Sequence, residues 1–291
     1  MTKEKVNKNP LWQTTNKERK SYYIYFTGQN MIYTLVTTIL TTALLFQGID
    51  VAKAAGITLL IKIWDAVNDA IFGCIFDKIR FKSGKKFMPW LKISLIAIPV
   101  STVLLFSMPK DGSEAFKLAW YAITYILWDT AYTLCDVPIY GMVTAMTERL
   151  DERTALQSYK SIWGGAGSGL STILATVLAG EGIGFSYSTV SIIISVVALI
   201  TMVFICKNGV ERCVGEQDES FTVRKMFKYL FSNKNLLIYY AGVFFYSGAN
   251  IAGQMTLIVA FYLFKSSQFS LVVMALSAVP ALIFSLLVPK M

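Results

Sequence analysis

Residues 63–90 read IWDAVNDAIFGCIFDKIRFKSGKKFMPW, and this run indicates what kind of protein the chain is. Two aspartates, Asp65 and Asp69, lie inside an apolar segment, and a basic loop separates that segment from the next apolar one. A helix needs roughly 20 mostly apolar residues to cross a membrane. An ionisable group at the centre of such a helix costs about 2.5–3.5 kcal/mol on insertion scales. Each of these acids therefore predicts a functional role.

The composition indicates an all-α polytopic membrane protein. The 291 residues are 55% hydrophobic and only 15% charged, whereas soluble domains carry about 25% charged residues. This excludes a soluble enzyme, a disordered chain and a disulfide scaffold. Apolar periodicity predicts eight spanning helices, with ends uncertain by a few residues. They are expected at about 22–46, 55–76, 88–108, 116–142, 156–179, 186–206, 235–264 and 270–289.

The basic residues predict the orientation in the membrane. Of the 27 lysines and arginines, 22 fall on one side of the predicted spans and 4 on the other, with Lys62 inside a span. By the positive-inside rule, we expect both termini to face the cytoplasm. We expect the protein to be a multi-pass protein of the plasma membrane. The net charge of +9 follows this topology, so it does not indicate a nucleic-acid partner. The polar N-terminus predicts no cleavable signal peptide.

The ionisable residues of the second predicted span share one helical face. Lys62, Asp65 and Asp69 are separated by i,i+3 and i,i+4 spacings. One alternative is a charge-neutralised packing cluster, but a single lysine offsets only one of two carboxylates. Two carboxylates in a low-dielectric site repel, so one binds a proton or a cation lies between them.

The fourth predicted span carries acids in a similar pattern. Asp129 and Asp136 are seven residues apart, and Thr133 lies between them on the same face. Carboxylate, hydroxyl and amide oxygens suit a hard cation. The spacing therefore predicts sodium or proton handling at mid-membrane, with Asp65 and Asp69 as the Na⁺-binding carboxylates. The predicted cation cage consists of Asp65, Asp69, Asp136, Thr133 and Asn68.

Other chemistry finds little support in the sequence. There is no histidine, and no pair of the four cysteines has metal-ligand spacing, which predicts neither a zinc site nor a disulfide. With no catalytic set for an intramembrane enzyme, we expect a non-enzymatic protein without a resident cofactor. The glycine-rich run at 164–169 lacks the lysine of a phosphate-binding loop. Small residues such as Gly165 and Gly169 instead predict close helix packing or a hinge.

Three segments resemble one transporter family. Residues 63–90 resemble the second helix and following loop of the glycoside–pentoside–hexuronide:cation symporters, the melibiose-permease-like branch of the major facilitator superfamily. TYILWDTAYTLCDVPIYGM, residues 124–142, is similar to their fourth helix, and Gly28-Gln29-Asn30 fits the first. The resemblance implies the major facilitator fold, with about eight of its usual twelve helices present. It also implies symport of a glycoside or oligosaccharide with Na⁺ or H⁺ by alternating access.

The resemblance also implies residue roles. Asp65 and Asp69 match cation ligands, Asp136 matches an acid that touches both cation and sugar, and Thr133 and Asn68 match auxiliary cation positions. Lys160 or Trp163 lies near the position of an expected arginine. The sugar-binding residues implied in this way are Asn30, Asp136, Tyr132, Tyr140 and Lys160.

The loop after the second span resembles the superfamily's cytoplasmic gating signature, which would comprise Gly73, Asp77, Arg80 and Gly84. Gly73 would permit close helix approach, and the two charged residues would pair across the two halves of the protein. Without the resemblance, this segment would be interpreted as a basic loop that sets topology.

The length predicts an incomplete second half. We expect a basic tail at 1–20, a six-helix bundle at 21–206, a cytoplasmic loop at 207–234 and two helices of a second bundle at 235–291. Residues 220–233 predict an interfacial helix, a calmodulin-like target or a lipid-binding segment. Because symporters of this family have two six-helix halves, we expect a C-terminally truncated product. It would be a non-transporting remnant, or would work with a complementing chain or as a homo-oligomer. Transport of a lysolipid or another amphiphile is a further alternative.

Overall fold

A computed structural model describes residues 12–79, 81–179, 183–213 and 223–254, together with residues 263, 272 and 276. These residues form helices and no strand, which confirms the all-α prediction. The helices are α1 (Asn16–Thr34), a π-helical turn (Leu35–Ile39), α2 (Leu40–Phe46), α3 (Val51–Lys78), α4 (Met88–Phe106), α5 (Glu114–Met146), α6 (Leu150–Ala179), α7 (Tyr187–Asn208), α8 (Val223–Ser232) and α9 (Lys234–Gln254).

Each of the first six predicted spans contains a helix. The first is formed by α1, the π-helical turn and α2, which run on without a loop between them. The seventh begins as predicted with α9, and α8 occupies the predicted interfacial segment. The last part of the seventh span and nearly all of the eighth, expected at 270–289, lie outside the described residues.

The described residues up to Cys213 form one compact unit, and α8 and α9 belong to a second. In the first unit α1 packs extensively on α6 and α7, α4 packs on α5 and α7, and α3 packs on α5. The α1 side chains are among the most deeply buried of the described chain, including Tyr22, Tyr25, Met31 and Ile32. The first unit is therefore organised around α1.

Three of the described helices, α4, α6 and α7, are long and apolar enough to cross a membrane by length and composition. Large apolar side chains point outward from the first unit; Ile96 of α4, for example, is 72% exposed. Ile123 of α5 and Ile200 of α7 are exposed in the same way. Such a surface is unfavourable in water but suits lipid tails, as expected for a multi-pass membrane protein.

Glycines allow α1 to approach its neighbours closely. A Cβ atom at Gly167 of α6 would collide with the backbone of Thr27, and one at Gly28 would collide with the backbone of Ala198 in α7. The predicted packing role of the glycine-rich run is therefore found, but Gly165 is not the residue that carries it. No described atom lies within 4 Å of a Cβ built there.

Buried acids hold one end of the first unit together, the end at which α1, α4 and α6 begin; we call it the basal end. The Glu152 side chain is fully buried and accepts hydrogen bonds from the backbone N–H groups of Gln13 and Thr14, at 3.1 and 3.0 Å. It also accepts one from the Thr147 hydroxyl at 2.7 Å. These contacts attach the segment before α1 to the start of α6.

Two further acids link the segment after α7 to the same end. Arg212 donates two hydrogen bonds to Glu18, at 2.8 and 2.7 Å, and this pairing raises the pKa of Arg212 because it stabilises the charged guanidinium. Glu211 accepts hydrogen bonds from the backbone N–H groups of Lys86, Phe87 and Met88, where α4 begins, with shortest distances of 2.6 Å to Lys86 and Met88. A helix N-terminus favours an anion in this position, so Glu211 acts as its cap.

Replacement of Gly167 by alanine should destabilise the first unit. The added Cβ meets backbone rather than a movable side chain, so overpacking should cost about 1–3 kcal/mol. Gly165→Ala is the matched control, because its Cβ enters open space and alanine is the better helix former. Thermal unfolding of the detergent-purified variants should show a lower melting temperature for Gly167→Ala alone. Equal melting temperatures would contradict the close α1–α6 contact.

Removal of the Glu211 carboxylate should expose the N-terminus of α4. We expect Glu211→Ala to lower the free energy of unfolding by about 0.5–2 kcal/mol, the usual cost of losing a helix cap. Asp151, exposed and paired with Arg149 at the surface, offers the control Asp151→Ala, which should change stability by about 0.5 kcal/mol or less. Similar losses in the two variants would show that Glu211 is not a structural cap.

Candidate cation and sugar site

Helices α3 and α5 run parallel and share a polar face. Residues of α3 pair with residues of α5 that lie 61 to 65 positions later in the chain. The pairs are Lys53 with Glu114 at 2.8 Å, Thr58 with Tyr121 at 2.7 Å, and Asn68 with Thr133 at 2.9 Å. This register places the acids of the second and fourth predicted spans opposite one another.

Thr133 joins two of the predicted cation ligands. Its hydroxyl accepts a hydrogen bond from the Asn68 amide at 2.9 Å and lies 3.2 Å from the Asp69 carboxylate, to which it can donate. Asn68 and Thr133 are buried, whereas Asp69 is exposed. The three side chains thus present carboxylate, hydroxyl and amide oxygens at one point between α3 and α5.

Asp65 lies one helical turn before Asp69 and has different partners. Its carboxylate is 3.1 Å from the Lys62 ammonium. Asp129 of α5 approaches both residues closely enough for direct electrostatic interaction. Asp129 is only 5% exposed, although the sequence indicated no role for it beyond its place on the polar face. Its signal was the i,i+4 spacing to Thr133, which puts both on the face that meets α3.

Asp136 is held by a residue that the sequence analysis did not select. The Gln29 amide of α1 donates a hydrogen bond to Asp136 at 2.7 Å, and Gln29 is 2% exposed. The neighbouring Asn30 donates instead to the backbone carbonyl of Phe26, four residues earlier in its own helix. The sugar-binding role that the resemblance implies for Asn30 stays a prediction; the position of Gln29 on the buried face of α1 is the signal that could have found the partner of Asp136.

Lys160 of α6 lies near Asp136. Its ammonium lies 3.7 Å from the ring centre of Tyr140 and 5.1 Å from that of Phe26, and it interacts electrostatically with Asp136. Asp136 in turn interacts with Asp69. The structure therefore brings Lys160, Tyr140 and Asp136 together beside the Asp69 group. Because Tyr140 is exposed, a solute can reach this surface in the first unit.

Aromatic rings form a wall next to these charges. Tyr132 stacks on Trp128 with ring centres 5.0 Å apart, and Tyr33 lies 5.6 Å from Tyr132. Trp128 is buried and donates its indole N–H to Thr102, which makes it a packing residue. Tyr132 is thus positioned by neighbours from α1 and α5.

The donors on this face are carboxylate, hydroxyl and amide groups. In the part of the chain that the structure describes, no group of three or more His, Cys, Asp or Glu side chains could hold a metal ion. The carboxylates instead occur in pairs supplemented by hydroxyl and amide oxygens. Hard cations accept such oxygen ligands.

The predicted gating signature is only partly described. Gly84 adopts a φ of 69° in the turn before α4, a conformation that favours glycine. No described atom lies within 4 Å of a Cβ built at Gly73, so the close helix approach predicted there is not found among the described residues. Arg80 and the side chain of Asp77 lie outside them.

The chain is similar in sequence to known transporters and symporters. The chain is 28% identical over 223 residues to the uncharacterized symporter YjmB of Bacillus subtilis (strain 168), covering 74% of this chain and 48% of the relative. It is 27% identical over 260 residues to the isoprimeverose transporter of Lactiplantibacillus pentosus, covering 85% and 52%. It is 26% identical over 272 residues to the lactose permease of Lactobacillus helveticus, covering 82% and 41%.

The chain spans about half the length of the curated relatives it matches. The model of the family described as "MFS/sugar transport protein" matches residues 22–291, which is most of the sequence. This confirms the resemblance to the sugar:cation symporters of the major facilitator superfamily. The chain, a multi-pass membrane protein, belongs to the MFS/sugar transport protein family.

Proposed function

We propose that this chain carries the cation site and part of the sugar site of a symporter that moves a glycoside or oligosaccharide with Na⁺ or H⁺. The observation that carries the proposal is the cluster of Asp69, Thr133 and Asn68 between α3 and α5, next to Asp136. The relatives named as sugar transporters support a sugar as the substrate. The cation is cargo, not a resident cofactor.

The geometry suggests how cation and sugar are coupled. Without a cation, the negative charges of the Asp69 and Asp136 carboxylates repel each other. A bound cation removes this repulsion, which leaves the Asp136 oxygens available to sugar hydroxyls. Coupling between two ligands is reciprocal, so bound sugar raises the cation affinity by the same factor.

The sugar is proposed to lie against Asp136, Lys160 and the exposed ring of Tyr140. The ammonium is a hydrogen-bond donor and the carboxylate an acceptor, so together they recognise adjacent hydroxyl groups. The ring offers an apolar face to the C–H side of the sugar. Alternating access would rock this unit against a second half around the site. The basal end is proposed to face the cytoplasm, because most basic residues lie on that side of the predicted spans.

Neutralisation of Asp69 tests the cation assignment. In proteoliposomes with an inward Na⁺ or H⁺ gradient, we expect the chain to take up labelled glycosides and Asp69→Asn to lose the gradient-stimulated fraction, because the cation loses its carboxylate ligand. The control is Asp111→Asn, which makes the same change in an exposed loop. Gradient-stimulated uptake that persists in Asp69→Asn would contradict the cation site. Absence of uptake by the unchanged chain would contradict transport by this chain alone.

Removal of the Lys160 charge tests the sugar site. Loss of one charged hydrogen bond to the sugar should weaken glycoside binding by about tenfold, equivalent to about 1.4 kcal/mol. Binding of a labelled glycoside at saturating Na⁺ should show this loss in Lys160→Met. Lys110→Met, in an exposed loop, should leave the affinity unchanged. An unchanged affinity in Lys160→Met would remove Lys160 from the site and favour Trp163.

A further inference from the structure

The sequence of helix α8 (Val223–Ser232) gives it one apolar face and one basic face. Its apolar residues recur at intervals of three and four positions, which places them on one side of a helix. They are Val223, Met226, Phe227, Leu230 and Phe231. The basic residues Arg224, Lys225 and Lys228 fall on the remaining side. A short helix of this kind suits the boundary between water and lipid tails.

The positive charge of this segment is not balanced within it. Lys234 adds a fourth basic residue directly after α8. No acidic residue follows Glu219 in the sequence, so no carboxylate of the segment neutralises these charges. The helix therefore fits a negatively charged partner.

The described side chains of α8 are open to such a partner. Phe231 is 69% exposed and Tyr229 is 59% exposed, and Lys228 is exposed as well. A partner of α8 must therefore cover large rings and at the same time meet a lysine ammonium. The boundary between lipid headgroups and acyl chains offers both environments to one helix.

Helix α8 is a separate helix and not the first turns of α9. Asn233 lies between them: its backbone N–H donates to the Tyr229 carbonyl at 3.1 Å, and its side-chain oxygen accepts from the Leu236 N–H at 3.1 Å. The second of these bonds caps α9, which begins where the seventh span is predicted. Tyr239 and Tyr240, near the start of α9, are exposed aromatic residues of the type that collects at membrane boundaries. Helix α8 thus adjoins the predicted membrane boundary.

We propose that α8 binds anionic phospholipids of the cytoplasmic leaflet. Its apolar face lies among the upper acyl chains, and its three basic residues meet the lipid phosphates. The negative surface potential of that leaflet attracts basic segments next to a spanning helix, and each lysine or arginine strengthens binding about fivefold. The inference does not depend on transport, because it concerns a segment outside the cation and sugar sites.

The test is amide hydrogen exchange of α8 in the full chain, measured by mass spectrometry in nanodiscs of phosphatidylcholine with or without phosphatidylglycerol. We expect the α8 amides to exchange up to about a hundredfold more slowly with phosphatidylglycerol, because three basic residues each contribute about fivefold. Equal exchange in the two lipid mixtures would overturn the proposal. Protection that appears only after addition of Ca²⁺-calmodulin would also overturn it, and would assign α8 to an acidic protein.

Two triple variants separate α8 from the total charge of the chain. The first, Arg224→Gln with Lys225→Gln and Lys228→Gln, should abolish the effect of phosphatidylglycerol on exchange. The control removes the same charge from the basic tail and should keep the effect; it combines Lys3→Gln, Lys5→Gln and Lys8→Gln. An effect that persists in the first variant, or disappears in the control, would contradict the assignment to α8.

The apolar face is tested through Phe231. In nanodiscs with phosphatidylglycerol, Phe231→Ser should speed the exchange of α8 by about tenfold or more, because burial of a phenylalanine ring strengthens binding by at least that factor. Phe231→Leu keeps an apolar side chain and should retain most of the protection. Unchanged exchange in Phe231→Ser would show that α8 does not insert among the lipids and would overturn the proposal.

Discussion

The constraint on which the structure depends is the cost of placing several carboxylates inside apolar helices. The partners come from three sources: Asp65 pairs with Lys62 of its own helix, Asp69 with Thr133 of the parallel helix α5, and Asp136 with Gln29 of α1. A shift of α3 by one residue would rotate Asp69 away from Thr133 and remove the hydroxyl partner of its carboxylate. The carboxylates that are costly to place in apolar helices thus also favour one register of α3 against α5.

The packing of α1 supplies the second condition. Gly28 and Gly167 allow the backbone of α1 to approach α7 and α6 more closely than a side chain would permit. This close approach places Gln29 within 2.7 Å of Asp136. The two glycines carry no functional group, but their close packing helps to position the Gln29 amide. This amide in turn orients the Asp136 carboxylate between the proposed cation and sugar sites. At the basal end, the carboxylates of Glu152, Glu18 and Glu211 connect segments of the first unit through hydrogen bonds.

Burial and partners distinguish these two uses of acidic residues. Glu152 accepts hydrogen bonds from backbone and hydroxyl donors, so its charge is satisfied within the protein. Asp129 is nearly as buried but has an oxygen without a donor, and Asp69 is exposed with one hydroxyl partner. A satisfied carboxylate stabilises a fold, whereas an unsatisfied one is available to a ligand. By this reasoning, functional acids are assigned by their missing partners and not by their depth.

The sequence by itself determined the helical class, six of the helices and the set of acids on α3 and α5, because apolar length and i,i+4 spacing are local properties. It also determined the family, through residues 63–90 and 124–142. Only the tertiary structure decided that Gln29 holds Asp136, that Gly167 rather than Gly165 carries the packing, and that Asp129 interacts with Asp65. Each of these depends on the rotation of one helix against another. That rotation follows from side-chain packing between segments distant in the chain, which spacing along a single helix does not specify.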